Sequence, residues 1–429
     1  MKAPSPQLSE SEIIDGLVKN PLSFFTGLTE KLGDHFTFKI GDLEINFIND
    51  PLAIEVVFED GDNYKKKPDD TSEQGYLGMM SGICAMFTPE LVNSYTRCMS
   101  AAAERSVDRI KSLEEGKDLD IFHEMMLLTL EIEIETLYSV NLEHLIGDHP
   151  DLDLSEVCRN LMLADRVYGF DPVYTGLSDH LPEFTRNAQS QEARNYLVNF
   201  LKKVIETFKK YPKEKTLMNY LTDNLTEEKL VDTALVILGA HHEVAVPAIS
   251  RVWQLLSENP EVESKLSTEL STVLNGRAAT QEDLKDLKYT HMVMHEVRRL
   301  YPCVWMVMRW SREERQINNF VIPKDSVVMM SQWVSHRDSS HFVDPLVFNP
   351  ERWTDEAIQR LEGIPFFPFS KGIRSCAGEQ FAEMQDALIL ATMAQSLKFN
   401  LESNQDLSPL ARRSNAPQLG IRGTVTLKD

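Results

Sequence analysis

The residues best equipped for chemistry lie at positions 365–391, PFFPFSKGIRSCAGEQFAEMQDALILA. Cys376 stands in a loop between Gly372 and Gly378, directly ahead of an amphipathic stretch. A thiolate is a strong soft metal ligand, and flanking glycines let backbone approach a flat cofactor closely. Amides at the start of the following helix can donate to the sulfur and favour its charged form. Arg374, two residues before the cysteine, is suited to neutralise an anionic group on such a cofactor. A lone loop cysteine is more often a small buried apolar residue. It is the ordered set of positions around Cys376 that argues for ligation.

That set, Phe369-x-x-Gly372-x-Arg374-x-Cys376-x-Gly378, resembles the heme-binding loop of the cytochrome P450 family, in which the cysteine is the axial ligand. The resemblance implies heme b (iron protoporphyrin IX) as cofactor and Cys376 as metal ligand. Phe369, Gly372, Arg374 and Gly378 are implied as cofactor-binding. Glu296-Val297-Arg298-Arg299 puts a carboxylate and a guanidinium three apart on one helical face, ahead of Tyr301-Pro302. With Pro350-Glu351-Arg352 it resembles the family's buried network, so Glu296, Arg299 and Arg352 are expected to be structural and to hold the cysteine loop. Arg309 resembles the family's propionate-binding arginine. Val304, Trp305, Met306 and Val307 fall where relatives line the substrate pocket, which implies an apolar substrate.

Two segments depart from the family pattern. LGAHHEVAVPAIS aligns with the oxygen-activation segment, where Ala240 and Glu243 match. His241 replaces a glycine, and Val244 replaces the threonine whose hydroxyl helps deliver protons. Ala240 is expected beside the cofactor, and Glu243, His241 and the Val244 position at the catalytic face. Pro247 cannot donate to the carbonyl of Glu243, so an altered turn is expected there. His241 has several readings: proton relay, acid and base for peroxide cleavage, sixth iron ligand, or partner of a backbone carbonyl. His242 reads as a packing or solvent-channel residue. Upstream, MMSGICAMFTPELVNSYTRCMS lacks the His or Trp and Arg pair that contacts a propionate in relatives. Lys65 to Lys67 or Arg97 are candidate substitutes.

The elements that must position these residues are mostly helical. Residues 36–58 read as a hairpin turning at Gly41-Asp42, followed by a helix after Asp50-Pro51. Helical spacing covers about 89–217, and the longest helical signal runs from Asn224 to Asn259 with Thr226 as cap. A helix over Gln281–Tyr301 leads into β-like text at 304–330, and a last helix spans about 379–397. The fold class expected is mainly α with a small β portion (α+β), one large cytochrome P450-like domain over 1–429 around a buried heme. Residues 1–20 are the stretch least expected to be ordered.

Composition sets outer bounds. With 42% hydrophobic residues the chain can bury a large core, and a net charge of −22 disfavours nucleic acid. Five scattered cysteines without paired spacing speak against a disulfide framework and point to a reducing, cytoplasmic setting. Residues 1–20 do not read as a signal peptide or membrane anchor. The expected function is a heme-thiolate monooxygenase using dioxygen and electrons from a ferredoxin or flavodoxin with its reductase, acting as a monomer. Alternatives are a peroxide-dependent peroxygenase, an oxygen-independent isomerase or dehydratase, and a heme sensor or carrier with His241 on the iron.

Overall fold

The computed structural model describes residues 3–66, 82–84, 86–114, 116–165, 188–358, 363, 365–411, 415–417 and 420–428. Lys67 and residues 79–81 and 85 of the upstream departure lie outside that set. Helices dominate and the strands form small sheets, which is the α+β class expected.

The hairpin forms as read: His35–Ile40 pairs antiparallel with Leu43–Ile48. Gly41 supplies the positive φ, +57°, that the tight turn requires. Asp50 then caps helix Pro51–Glu59 by accepting from the Ala53 amide at 2.8 Å. Strand Val327–Met330 runs parallel to the second hairpin strand, and Val307–Ser311 pairs with Val327–Met330 on its other side. Strand Tyr64–Lys65 closes this five-stranded sheet. Phe25, Phe36, Phe47 and Trp305 pack on one face of it, with Phe36 and Phe47 stacked at 4.7 Å.

The helical body is built around Glu227–Glu258, continuous across Pro247. Among the described residues it is the one helix long and apolar enough to cross a membrane, but here it is a core helix with 61% of its most apolar window buried. Helix Ile121–Glu135 packs along it, and Tyr138 reaches over to donate to the carbonyl of Ala234 at 2.9 Å. Helix Ile121–Glu135 is itself clamped to Thr96–Lys111 by ion pairs. Arg105 and Arg109 both reach Glu131, at 3.0 and 2.6 Å, and Arg109 also reaches Glu124 at 2.7 Å.

The helix read over Gln281–Tyr301 begins later, at Lys288. Asp283 is tied back by the amide and hydroxyl of Thr280 and by Arg277 at 2.6 Å, which closes a single 3₁₀ turn. Glu269 from the preceding helix then accepts the amides of Tyr289 and Thr290, supplying the N-terminal partners of a new helix.

Three histidines sit in this body in neutral form, His242 and His336 buried and His295 half-buried. Burial pushes His242 down to about 4 and His295 to about 3, and His336 well below its usual value. Such a group takes up its proton on unfolding, so its contribution to stability is complete above pH ~6.5 and is lost as pH falls. Asp386, raised to about 6, works in the opposite sense below that value. Replacing His295 by Phe isolates one contribution. In denaturant titrations at pH 7.5 and 5, His295→Phe is expected to flatten the acid loss of stability by about 1.4 kcal/mol per pH unit. An unchanged slope would contradict this.

Candidate heme-thiolate site

The cysteine loop is held by its own backbone. Cys376 N–H donates to Phe369 C=O at 2.9 Å, and Ser370 and Ser375 amides close turns onto Phe367 and Gly372 at 3.0 Å each. Gly372 sits at φ +71°, and a Cβ there would lie 2.2 Å from the Phe58 carbonyl oxygen, so only glycine fits. A Cβ on Gly378 would stand 3.8 Å from Cys376 Sγ, so any side chain there would project beside the sulfur. Helix Glu379–Ser396 begins immediately after it.

Cys376 is exposed, yet enough protein surrounds the sulfur for burial to push its thiol up. Both hold for an atom on the floor of a concavity. The Gly378 amide and the charge of Lys66 pull the other way, toward thiolate. Lys66 is therefore the described member of the lysine run that lies near the sulfur. Lys65 is drawn to the Gly61 carbonyl at 3.3 Å, and Arg97 is exposed on its helix.

Arg309 is buried and donates to Ser370 Oγ at 3.3 Å, joining the sheet to the cysteine loop. Arg374 is half-buried, and that burial lowers its pKa. Phe369 lies under the Arg298 guanidinium, 5.2 Å from ring centroid to Cζ. Val304, Met306 and Val307 are half-buried, whereas the Trp305 ring is taken up by the core beside Phe25 at 6.3 Å.

Glu296 and Arg299 are fully buried and form a two-pronged pair at 2.8 and 2.9 Å. Arg352 adds a bond to Glu296 at 3.2 Å. Sequence reasoning missed two members of this cluster. Trp353 Nε1 donates to Glu296 at 2.9 Å, and His336 is the link to the loop. Arg299 donates to the His336 carbonyl at 2.8 Å, while the neutral His336 ring accepts from the Phe367 amide at 3.1 Å.

On the central helix, Val236 and Ala240 are exposed one turn apart on a helix otherwise well buried, and Glu243 and Val244 are half-buried. His241 turns toward the protein. Its Nδ1 is 3.2 Å from Glu133 Oε2, its Nε2 is 3.0 Å from Gln385 Oε1, and Phe381 meets its ring edge-on at 5.2 Å. Phe381 and Gln385 belong to the helix that follows the cysteine, so the two motifs meet here. Burial raises the pKa of Glu133, and the bond to His241 opposes that shift. His242 faces Met126, 3.1 Å from its carbonyl. Glu133 was legible only as a charge inside the apolar run LTLEIEIE.

A macrocycle with a thiolate ligand fits these residues: a soft sulfur with amide support, small residues around it, and an open apolar helix face at Val236 and Ala240. Fold and loop together define the heme-thiolate class. The profile of the family Cytochrome P450 matches residues 13–419. The chain belongs to the cytochrome P450 family. Similar proteins include cyclooctat-9-en-7-ol 5-monooxygenase of Streptomyces melanosporofaciens, 28% identical over 72% of this chain and 67% of the relative. Cyclooctatin synthase of the same organism is 27% identical over 65% of this chain, and the chain spans only 61% of its length. Pentalenene oxygenase of Streptomyces avermitilis is 23% identical over 92% of this chain and 90% of the relative.

Removing Arg299 leaves Glu296 charged and buried. Arg299→Ala is expected to cost about 3–5 kcal/mol in urea unfolding. Arg352→Ala, which removes one longer bond at the edge of the cluster, is expected to cost about 1–2 kcal/mol. Equal costs for the two would refute the central place given to Glu296–Arg299.

Proposed function

We propose that this chain is a monooxygenase that inserts one oxygen atom into a largely apolar, terpenoid-like small molecule. Cys376 is the ligand of heme b, with Arg374 and Arg309 serving its propionates. The observation that carries the reading is the Cys376 loop, with an amide-supported sulfur and a following helix that meets the central helix at His241. The names of the bacterial relatives support the substrate class. Bound heme supplies dioxygen activation, favoured by electron density from the thiolate. Electrons come from a separate ferredoxin or flavodoxin, for which exposed Lys371 and Ile373 beside the cysteine offer a mixed basic and apolar contact.

Val244 has no hydroxyl, so the protons must come from elsewhere. Glu133 and His241 are placed to share one: a buried carboxyl with raised affinity for its proton faces an imidazole that passes a hydrogen bond on to Gln385. Both His241 ring nitrogens are engaged, which supports a relay and speaks against His241 as a sixth iron ligand. Glu243, one turn from Ala240, is the acceptor on the substrate side. The missing hydroxyl also favours one second reading, turnover driven by peroxide.

The reconstituted protein with ferredoxin, reductase and NAD(P)H is expected to oxidise a terpene alcohol, and to do so far better than with peroxide alone. His241→Phe and Glu133→Gln are each expected to lower product formation about 100-fold while keeping the thiolate absorption of the reduced carbon monoxide complex. Unchanged turnover in both variants would remove the relay. Product from peroxide at the same rate without reductase would replace the monooxygenase reading by the second one.

A further inference from the structure

We infer that the protein holds a small inorganic anion, of halide size, between the guanidinium groups of Arg251 and Arg337 beside the ring of Tyr301. Arg251, on the central helix, is fully buried, and its Nε and Nη2 have no hydrogen-bond partner. Its Nη1 donates to Gln254 at 2.6 Å, and Gln254 in turn donates to Glu258 at 3.1 Å. Glu258 is thus reached only through an amide. Arg337 lies 3.3 Å from the centroid of Trp333, with one bond to the Leu300 carbonyl, and its Nη1 is shut off from solvent without a partner. Both guanidinium carbons lie within 6 Å of the Tyr301 ring centroid, at 4.5 and 5.7 Å.

Two cations therefore face one aromatic ring, and among the described residues no carboxylate pairs with either. Burial lowers the proton affinity of both, Arg251 to about 10 and Arg337 to about 9, and the charges of Arg299 and Arg251 add to the lowering at Arg337. Both values leave the groups charged at neutral pH, so the usual escape of a buried ion, neutralisation, is closed. The π-face of Tyr301 offsets part of one charge. What the unpaired N–H groups still lack is an acceptor with negative charge. A halide provides it without needing room for a larger oxyanion. The site joins the central helix to the segment carrying His336, so its occupant also braces the support of the cysteine loop.

The test uses the full-length protein in sodium gluconate titrated with chloride at constant ionic strength. The melting midpoint is expected to rise saturably, by about 3–5 °C at roughly a hundred times the dissociation constant. Arg251→Met is expected to melt at one temperature throughout, whereas Arg251→Lys keeps a weaker response. A crystal of the unaltered protein soaked in bromide is expected to give an anomalous peak in hydrogen-bonding reach of Arg251 Nη2. Identical melting in chloride and gluconate, a full response in Arg251→Met, or a bromide soak with only water at that position would each overturn the inference. None of these readouts depends on turnover.

Discussion

The structure depends most on the ion pair between Glu296 and Arg299, because the chain near the cysteine has little core of its own. Residues 371–376 form a single 3₁₀ turn and a loop, with no longer element of their own, so their geometry must be imposed from outside. Burying two charges costs several kcal/mol each, and attraction alone does not return it. The cluster offsets the cost by saturating both ions. Glu296 accepts from Arg299 twice, from Arg352, from Trp353 and from the Asn349 amide. Arg299 donates to the carbonyls of His336 and Pro345 as well. Such an arrangement adds little net stability over an apolar core. What it gives is a single allowed geometry, since any rearrangement leaves an ion unpaired.

His336 carries that geometry to the loop. Its carbonyl is fixed by Arg299, and its ring fixes the Phe367 amide, where the approach to Cys376 begins. The ring can accept that bond only while neutral, and the positive charges of Arg299 and Arg337 together with burial keep it so. The same arginine that orders the histidine thus also selects its protonation state. Arg309 anchors the loop from the sheet side through Ser370, so two elements far apart in sequence converge on one turn.

How much of this was legible in the sequence follows from where the partners lie. The cysteine loop was readable because its chemistry is contiguous, and Glu296 with Arg299 because helical spacing alone makes them neighbours. Arg352 needed the family pattern. Glu133, Gln385, His336 and Trp353 carry no local mark, since each gains its role from a residue many turns away in the chain. His241 was seen as a departure, but its direction was not: a helical residue can face either side, and only the packing of Phe381 and Glu133 decides. Trp305 was expected at the pocket on its position, yet a large apolar ring next to Phe25 and the sheet gains more by joining that core. The helix start at Lys288 was missed because the capping by Asp283 competes locally with helix continuation.

The central helix brings these lines together. It has one open apolar face at Val236 and Ala240, while its other sides carry polar groups turned into the protein: His241 to Glu133, His242 to Met126, Arg251 to Tyr301. A glycine and a threonine at positions 241 and 244 would leave proton delivery to a hydroxyl at the open face. This chain has an imidazole and a valine there instead. In the relay proposed above, the acid–base capacity lies on the buried side of the helix, where Glu133 is shielded from bulk water and its helix is clamped through Glu131 by Arg105 and Arg109. A buried relay of this kind works only if its members cannot drift. In that proposal the packing of Phe381 and Glu133 around His241 is what fixes the relay's geometry.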